Sequence, residues 1–598
     1  MKLLWLLSVA ATSVVYLQAL HGGFLFDDFP NIVENAPIHL ASLSFSGLMA
    51  SLDGASAGPL GRPISVFSFA LTHWYFGLDP YAFKAINLAI HLINGLLVGW
   101  FVLLLVKQES IVQVSDGAQK WLPIWVATAW SLHPIHFVAI NMAVQRMTLL
   151  AAMFTLLALI AHLKAVSPDR SRLGALSWGG FAWAVCWPLA ALSKETGLLF
   201  PLFAWLLFFF PRGGNSATSR RDNRILYFIG AAMLLMAVGM IWRIGFSWLE
   251  AGYSVRDFTL YERLLTQARV LWFYLGQILL PNHEAFALYL DWFPVSRGWF
   301  DPRSTLVAVC AWGLVIGALI RYRHSQSALA FGLAWFLLGH SLESTFIPLE
   351  MAHEHRNYLP ALGLLFALGV IGAQFFERVN FGKSALIPVS ASLAMLLIFG
   401  GLTGLRSAQN SDALIGAQTE ATRHEMSARA NYVAALSLIQ AGYGDRDDPM
   451  GAKNVRFYLE QSERADGGFK LGYLALISWA CASGRQVDGL WLTAFSDRLE
   501  NTAFTYGQLS VPTTLLKMLS LMPQCLSREE ALVLFESGGR NQRAGSRVRS
   551  SFIEGAADYE LLVQRDPIAA RQFYVQAIGL DAGNIALRNK IKGLIPAK

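Results

Sequence analysis

The chain has 598 residues, of which 55% are hydrophobic and only 15% charged, against about 25% charge in a soluble domain. With a positive mean hydropathy, this excludes a soluble globular enzyme and makes the chain a polytopic membrane protein. Lys and Arg number 47 against 40 Asp and Glu, a net charge of +7. In a membrane chain that excess follows from basic cytoplasmic loops and does not call for a nucleic-acid partner.

The opening "MKLLWLLSVAATSVVYLQAL" carries one lysine and then a long apolar run. No small-x-small cleavage site follows, so an uncleaved first membrane helix with its N-terminus inside is expected rather than a signal peptide. Further apolar runs lie near residues 83–106, 121–137, 147–163, 174–192 and 197–211, then near 225–246, 304–320, 327–341, 357–376 and 384–404. Counting 3–20 as the first, about 11 transmembrane helices are expected, since roughly 20 residues of helix cross a bilayer. Lys107 with Lys120, Lys164 with Arg170 and Arg172, "PRGGNSATSRRDNR", "RYRHS" (321–325) and "ERVNFGKS" (377–384) then all fall on the cytoplasmic side. The segment 265–281 would break that parity if it spanned, so it is expected to be re-entrant or interfacial.

The same parity gathers the other polar clusters on the opposite face. These are "FDDFPNIVEN" after the first span, "HPIHFVAINMAVQR" (133–146), "SKET" (193–196), two stretches between 247 and 303, and "HSLESTFIPLEMAHEHRNYLP" (340–360). Ionisable groups at membrane depth are expensive and mark a site or pathway, so one polar cavity on the non-cytoplasmic face is expected.

After about Arg406 the composition becomes that of a soluble helical domain. "NVRFYLEQSERADGG" and "AARQFYVQAIGLDAGNIALRNKIKGLI" place small and aromatic residues at helical spacing before a turn, and the second resembles a tetratricopeptide helix-turn-helix. Among the four cysteines there is no CxxC spacing, which argues against a zinc or dithiol site. Cys186 and Cys310 sit in apolar runs. Cys481 and Cys525 could pair if their domain faces an oxidising compartment.

Asp27 follows the apolar "GFLF" and is the candidate general base toward an acceptor hydroxyl; as an alternative it is a solvated loop acid. Asp28 could assist it, or cap a short helix that begins at Pro30. Arginine binds phosphate through its fork and lysine as a point charge. Arg62, Arg146, Lys194, Arg256 and Arg356, with Arg263 and Arg269, therefore form a candidate phosphate-binding set. The alternative is local ion pairing: Lys194 with Glu195, Arg263 with Glu262, Arg356 with Glu354. His133, Glu195, Glu343, Glu350, His353 and His355 complete the candidate pocket. "EMAHEHR" is not HExxH, and histidines two apart on a helix diverge, so no protein-bound metal is expected. Asp27, Asp28, Glu343 and Glu350 could still hold a divalent cation through oxygen.

Six pieces in order carry a family resemblance: "FDDFPNIVENAPI", "GRPISVFSFALTHWYFGLDPYAFKAINLAIHLIN", "LHPIHFVAINMAVQRMTLLAAMF", "LSKETGLLFPL", "YERLLTQARVLWFYLGQILLP" and "LESTFIPLEMAHEHRNYLPALG". Together they resemble the GT-C glycosyltransferases, and among these the membrane mannosyltransferase-like proteins with C-terminal tetratricopeptide repeats and their bacterial relatives, including type IV pilin glycosyltransferases. The resemblance covers roughly residues 1–405 and is weak beyond. It implies an all-α GT-C-like membrane domain over 1–405, with a first external loop at 21–82, and a periplasmic helical domain over 406–598.

It further implies a polyprenyl-phosphate-linked sugar as donor, Asp27 in the place of the catalytic base and Asp28 in that of the second acid. No cofactor is required, and a divalent cation could take part. The expected acceptor is a Ser or Thr hydroxyl of a secreted or pilin-like protein guided by the C-terminal domain, and the expected place is the bacterial inner membrane with the site facing the periplasm. Rival readings are a lipid-linked glycan flippase, for which no inverted repeat or broken helix is visible, a membrane-anchored scaffold, and a ligase that transfers whole oligosaccharides.

Overall fold

The structure is a computed structural model that describes residues 1–55, 58–107, 111–167, 170–209, 217–323, 327–379 and 386–593. Among these, every regular element is a helix, and the chain is an all-α polytopic membrane protein with a C-terminal helical, repeat-like part. The basic loops expected around 107–120, 164–172, 211–224, 321–325 and 377–384 fall partly outside the described residues.

Two compact units form. The first comprises Met1–Phe246, Glu262–Leu288 and Ser296–Ile415; the second comprises Ser247–Tyr261, Tyr289–Val295 and Gly416–Lys598. In the first, seven helices among the described residues are long and apolar enough to cross a membrane: Lys2–His21, Pro80–Leu105, Ala143–Ala165, Arg172–Ser193, Ser304–Tyr322, Pro360–Val379 and Leu386–Gln409. Of the other expected spans, those near 121–137 and 327–341 form the shorter helices Asp116–Leu132 and Ser327–His340, the one near 225–246 lies within the long helix Ala217–Tyr253, and the one near 197–211 falls partly outside the described residues.

Local chemistry sets the helix ends. Helix Pro80–Leu105 starts on Asp79, whose carboxylate accepts from Tyr81 N at 3.0 Å, with proline in the first turn. Asp116–Leu132 starts on Ser115 and stops at His133, which precedes Pro134 and so is pushed to extended backbone. The segment expected to be re-entrant or interfacial is one continuous helix, Leu260–Leu279, which agrees with an interfacial helix and not with a re-entrant turn. Apart from Gly276, no breaker precedes Pro281, so nothing turns the chain back.

In the second unit, successive antiparallel helices pack on their neighbours in sequence: Ala428–Gln440 on Pro449–Ala465, Arg528–Arg540 on Ser546–Leu562, and the last of these on Pro567–Leu580. That is the logic of a stacked helical array. Leu474, Ile477, Phe495, Leu515, Phe535, Phe552 and Tyr559 form its core. Ser527 and Glu530 make a capping box at the start of Arg528–Arg540. Cys481 and Cys525 are joined as a disulfide with Cα atoms 5.3 Å apart.

Candidate active site

The two adjacent aspartates have different surroundings. Asp28 is fully buried. Its carboxylate accepts from Leu25 N at 2.9 Å within its own loop, and from Ala143 N at 3.2 Å and Val144 N at 2.7 Å in the 133–146 segment. It stands before the short helical turn Phe29–Val33 but makes no side-chain cap bond. The expected cap is thus corrected: both oxygens are already held by three amides. Burial pushes the Asp28 carboxyl up, to about 6, against the downward pull of these amides and of Lys84. Asp28 is a joint between its own loop and the 133–146 segment.

Asp27 is half-buried and follows Phe26, a non-glycine residue at φ +42°. Left-handed backbone at a bulky residue is strained and is tolerated where surroundings enforce it. Here the Phe26 ring lies 6.5 Å from that of His353, which ties the start of the acidic loop to the 340–360 segment.

That segment meets the "SKET" turn around a cavity of about 30 Å³, lined by Thr148, Thr155, Lys194, Thr196, Glu343, His355, Arg356 and Tyr358 with apolar Leu199 and Phe203. Lys194 Nζ pairs with Glu343 Oε1 at 2.8 Å and donates to Thr148 Oγ1 at 3.2 Å. Arg62 pairs with Glu195 Oε2 at 2.9 Å. Gly58 (φ +71°) allows this, since a Cβ there would lie 2.3 Å from Glu195 Oε1. The expected pairing of Lys194 with its neighbour Glu195 is therefore replaced by two longer-range bridges. Arg356 spends one nitrogen on the Met351 carbonyl at 3.1 Å. Its Nε, His355 Nδ1 and Glu195 Oε1 are buried without a partner among the described residues.

Buried polar atoms are nearly always hydrogen-bonded, so these three groups point to a polar ligand. Burial pushes the Glu343 carboxyl up, but Lys194, Arg356 and Arg62 outweigh that and hold it at about 2. Burial and the surrounding cations hold His355 well below the usual imidazole range, so it is neutral at pH 7.

Several expected pocket residues lie elsewhere. Arg146 is buried and donates to Asn87 Oδ1 at 3.0 Å, Thr72 Oγ1 at 2.7 Å, the Ser68 carbonyl at 3.1 Å and the Phe83 carbonyl at 3.0 Å. Its guanidinium carbon lies 5.2 Å from the ring centroids of Phe69 and of Phe83. With all three of its nitrogens engaged by neutral acceptors, it departs from the expected phosphate-binding role and clamps helices. His133 uses both ring nitrogens on backbone, at Ile278 O (2.9 Å) and Ile135 N (3.1 Å), and is no pocket residue. Arg256 belongs to the second unit. Glu350 and His353 pair with each other at 3.0 Å. Glu354 is bonded to Arg406 at 2.8 Å, and Glu262 to Arg297 at 3.1 Å.

The sequence reading missed a polar stripe on helix Pro80–Leu105. Lys84, Asn87, His91 and Asn94 are fully or almost fully buried and, at spacings of three and four, share one helix face. Lys84 reaches the Gly22 carbonyl at 2.8 Å, Asn87 the Met142 carbonyl at 3.0 Å, His91 the Tyr358 hydroxyl at 2.7 Å and Asn94 the Leu149 carbonyl at 3.0 Å. The signal was present: four polar residues at helical spacing in an apolar run face a protein interior. Glu262 pairs with Arg297, and Arg263, expected either beside Glu262 or on phosphate, does not reach the cavity. It is buried and donates to the carbonyls of Thr345 at 2.8 Å and Glu343 at 2.6 Å, splinting the loop that carries Glu343. Among the described residues, no group of three or more His, Cys, Asp or Glu could hold a metal ion.

Fold and site together define a multi-pass membrane protein with a buried, cation-lined cavity beside a strained acidic loop. In sequence the chain is similar to the protein O-mannosyl-transferase tmtc2 of Xenopus laevis, 28% identical over 203 residues, 32% of this chain and 22% of that protein. It is similar to TMTC3 of Mus musculus, 26% identical over 201 residues, 32% of this chain and 20% of that protein. The match to a Caenorhabditis elegans protein O-mannosyl-transferase is longer, 25% identical over 405 residues, 66% of this chain and 54% of that protein. The chain thus spans about a fifth of the first relatives and about half of the last. No family model matches, and no solved structure matches.

Proposed function

We propose that this chain is a GT-C-type membrane glycosyltransferase that moves one sugar from a polyprenyl-phosphate carrier to a hydroxyl on a protein. The observation that carries the reading is the buried cavity in which Lys194, His355 and Arg356 converge, with Arg356 Nε lacking a partner. A guanidinium edge and an ammonium suit a phosphate. The similarity to protein O-mannosyl-transferases supports transfer to protein.

A second, wholly apolar cavity of about 370 Å³ is lined by Leu202, Trp205, Leu206, Ile316, Leu319, Ile320 and Leu337. It lies along the same two helical segments that carry Phe203 and Gly339 of the polar cavity, and it suits an isoprenoid chain. The polar cavity has room for about one water, so phosphate entry moves its lining side chains apart.

In this reading Asp27 takes the proton from the acceptor hydroxyl as its oxygen attacks the anomeric carbon. The bond from that carbon to the phosphate oxygen breaks, and the lipid phosphate leaves with the electron pair and inversion at carbon. Arg356, Lys194 and Arg62 meet the leaving charge. The acceptor is a Ser or Thr of a secreted or pilus protein presented to the C-terminal helical unit. The Cys481–Cys525 disulfide supports placing that unit in an oxidising compartment, the periplasm of a bacterial inner membrane. A divalent cation is not required for this step, and chelation leaves transfer intact.

The test is mass spectrometry of secreted and pilus proteins from cells carrying the wild-type chain or Asp27→Asn. A sugar mass lost from one protein identifies both sugar and acceptor. Unchanged glycoproteins together with accumulation of a lipid-linked glycan would overturn the reading in favour of a flippase.

A further inference from the structure

The turn Glu354–Asn357 carries two of the cavity's polar groups, His355 and Arg356, yet it is only four residues long. So short a helical turn does not hold itself in place. One end is tied by Asn357, which meets His340 at 3.2 Å. The other is tied by the Glu354 carboxylate, which is fully buried and accepts from Ala287 N at 2.6 Å.

Its principal charge partner lies far along the chain. Arg406 is buried in the last turn of helix Leu386–Gln409. It forks onto Glu354, Nη1 to Oε2 at 2.8 Å and Nη2 to Oε1 at 3.3 Å, while Nη1 also donates to the Pro134 carbonyl at 2.8 Å. Its guanidinium carbon sits 4.7 Å from the Phe137 ring centroid and 4.8 Å from that of Phe286. One side chain thus joins the 133–146 segment, the 283–288 segment and the 354–357 turn to the last membrane helix of the first unit. None of these groups lines the cavity.

We propose that Arg406 is a positioning residue: through its fork on Glu354 it sets where His355 and Arg356 stand in the cavity. The second measurement below rests on the reading of that cavity as the donor-phosphate site; the first does not. Lysine cannot serve in its place, because one ammonium cannot hold both carboxylate oxygens and the Pro134 carbonyl in a fixed plane between two aromatic rings. A buried charge left alone can unfold a protein. Arg406→Lys is therefore paired with the double variant Arg406→Met/Glu354→Gln, which removes both charges and keeps volume.

Full-length protein in nanodiscs is followed by amide hydrogen exchange, and undecaprenyl phosphate binding by tryptophan quenching. Both variants are expected to exchange about tenfold faster at 354–357 while peptides from helix Pro360–Val379 stay at the wild-type rate. The Kd for undecaprenyl phosphate should rise about tenfold, and in transfer assays KM for the donor should rise while kcat falls, because Arg356 meets both the bound and the leaving phosphate. An unchanged turn in the double variant, or loosening spread evenly through the bundle, would overturn the positioning role. If wild-type protein does not bind undecaprenyl phosphate, the donor reading falls, and the exchange measurement still decides the position of the turn.

Discussion

Asp27 and Asp28 are neighbours whose substitutions are expected to fail in different ways. Asp28→Ala strands the amides of Leu25, Ala143 and Val144. Each buried donor left unmade costs about 1–3 kcal/mol, so the variant should express poorly and melt early. Asp27→Asn should fold like wild type and lose about 10³-fold in transfer, the range of a general base. Melting curves and transfer rates measured on the same preparations separate the two, and a stable, inactive Asp28→Asn beside an active Asp27→Asn would reverse the assignment. Glu343 gives a second prediction at this scale. Its carboxyl is held at about 2, below its ordinary 4.5. The stability it contributes is therefore present above pH 4.5 and lost as pH falls toward 2. Glu343→Gln leaves Lys194 buried without its anion and should melt early at neutral pH. The gap to wild type should then close between pH 4.5 and 2, and a gap constant over that window would contradict the pairing. Residue types were legible from the sequence, because an isolated acid pair or a cation in an external loop stands out. Partners were not. Lys194 stands beside Glu195 in the chain yet bonds Glu343, since the extended backbone at Lys194 sends successive side chains apart.

Two helices that line no part of the cavity brace the segments that do, and the sequence revealed them unequally. Pro80–Leu105 was legible as a span from its apolar length, but its interior face went unread because its four polar residues were averaged into an apolar run. Leu260–Leu279 was set aside on charge parity. Its polar residues are what make it useful: Arg263, Gln267 and Tyr274 lie on one face and bond the carbonyls of Glu343, Met351 and His353 at 2.6, 2.7 and 3.0 Å. Such bonds to irregular backbone cannot be foreseen from sequence, because any loop offers carbonyls. Arg263→Ala removes the splint along 343–350 while leaving the cavity's own side chains in place. It should raise the donor KM several-fold more than it lowers kcat, with a loss of stability of about 3 kcal/mol from the freed carbonyls. Steady-state kinetics with a varied donor check this, and an unchanged KM would show that the loop holds its shape without Arg263.

At the scale of the whole chain, composition marked a change near residue 406, but not that 247–261 and 289–295 group with the C-terminal unit, because short segments inside a longer run leave no compositional trace. The cysteines were informative only once folded, because two thiols 44 residues apart have no spacing signature. In the structure they close one loop across the second unit, from the end of helix Leu471–Ala482 to the turn before Arg528–Arg540. A cross-link over such a loop removes chain entropy from the unfolded state worth about 4 kcal/mol. It also requires an oxidising surrounding to persist. Cys481→Ser should therefore lower the melting temperature of the second unit and expose it to limited proteolysis, while the spans keep their helicity by circular dichroism. In intact cells, Cys481 and Cys525 should resist alkylation until a reductant is added, then label together. Free labelling before reduction would mean that the unit faces a reducing compartment, and the placement of the transfer chemistry on the outer face would fall with it.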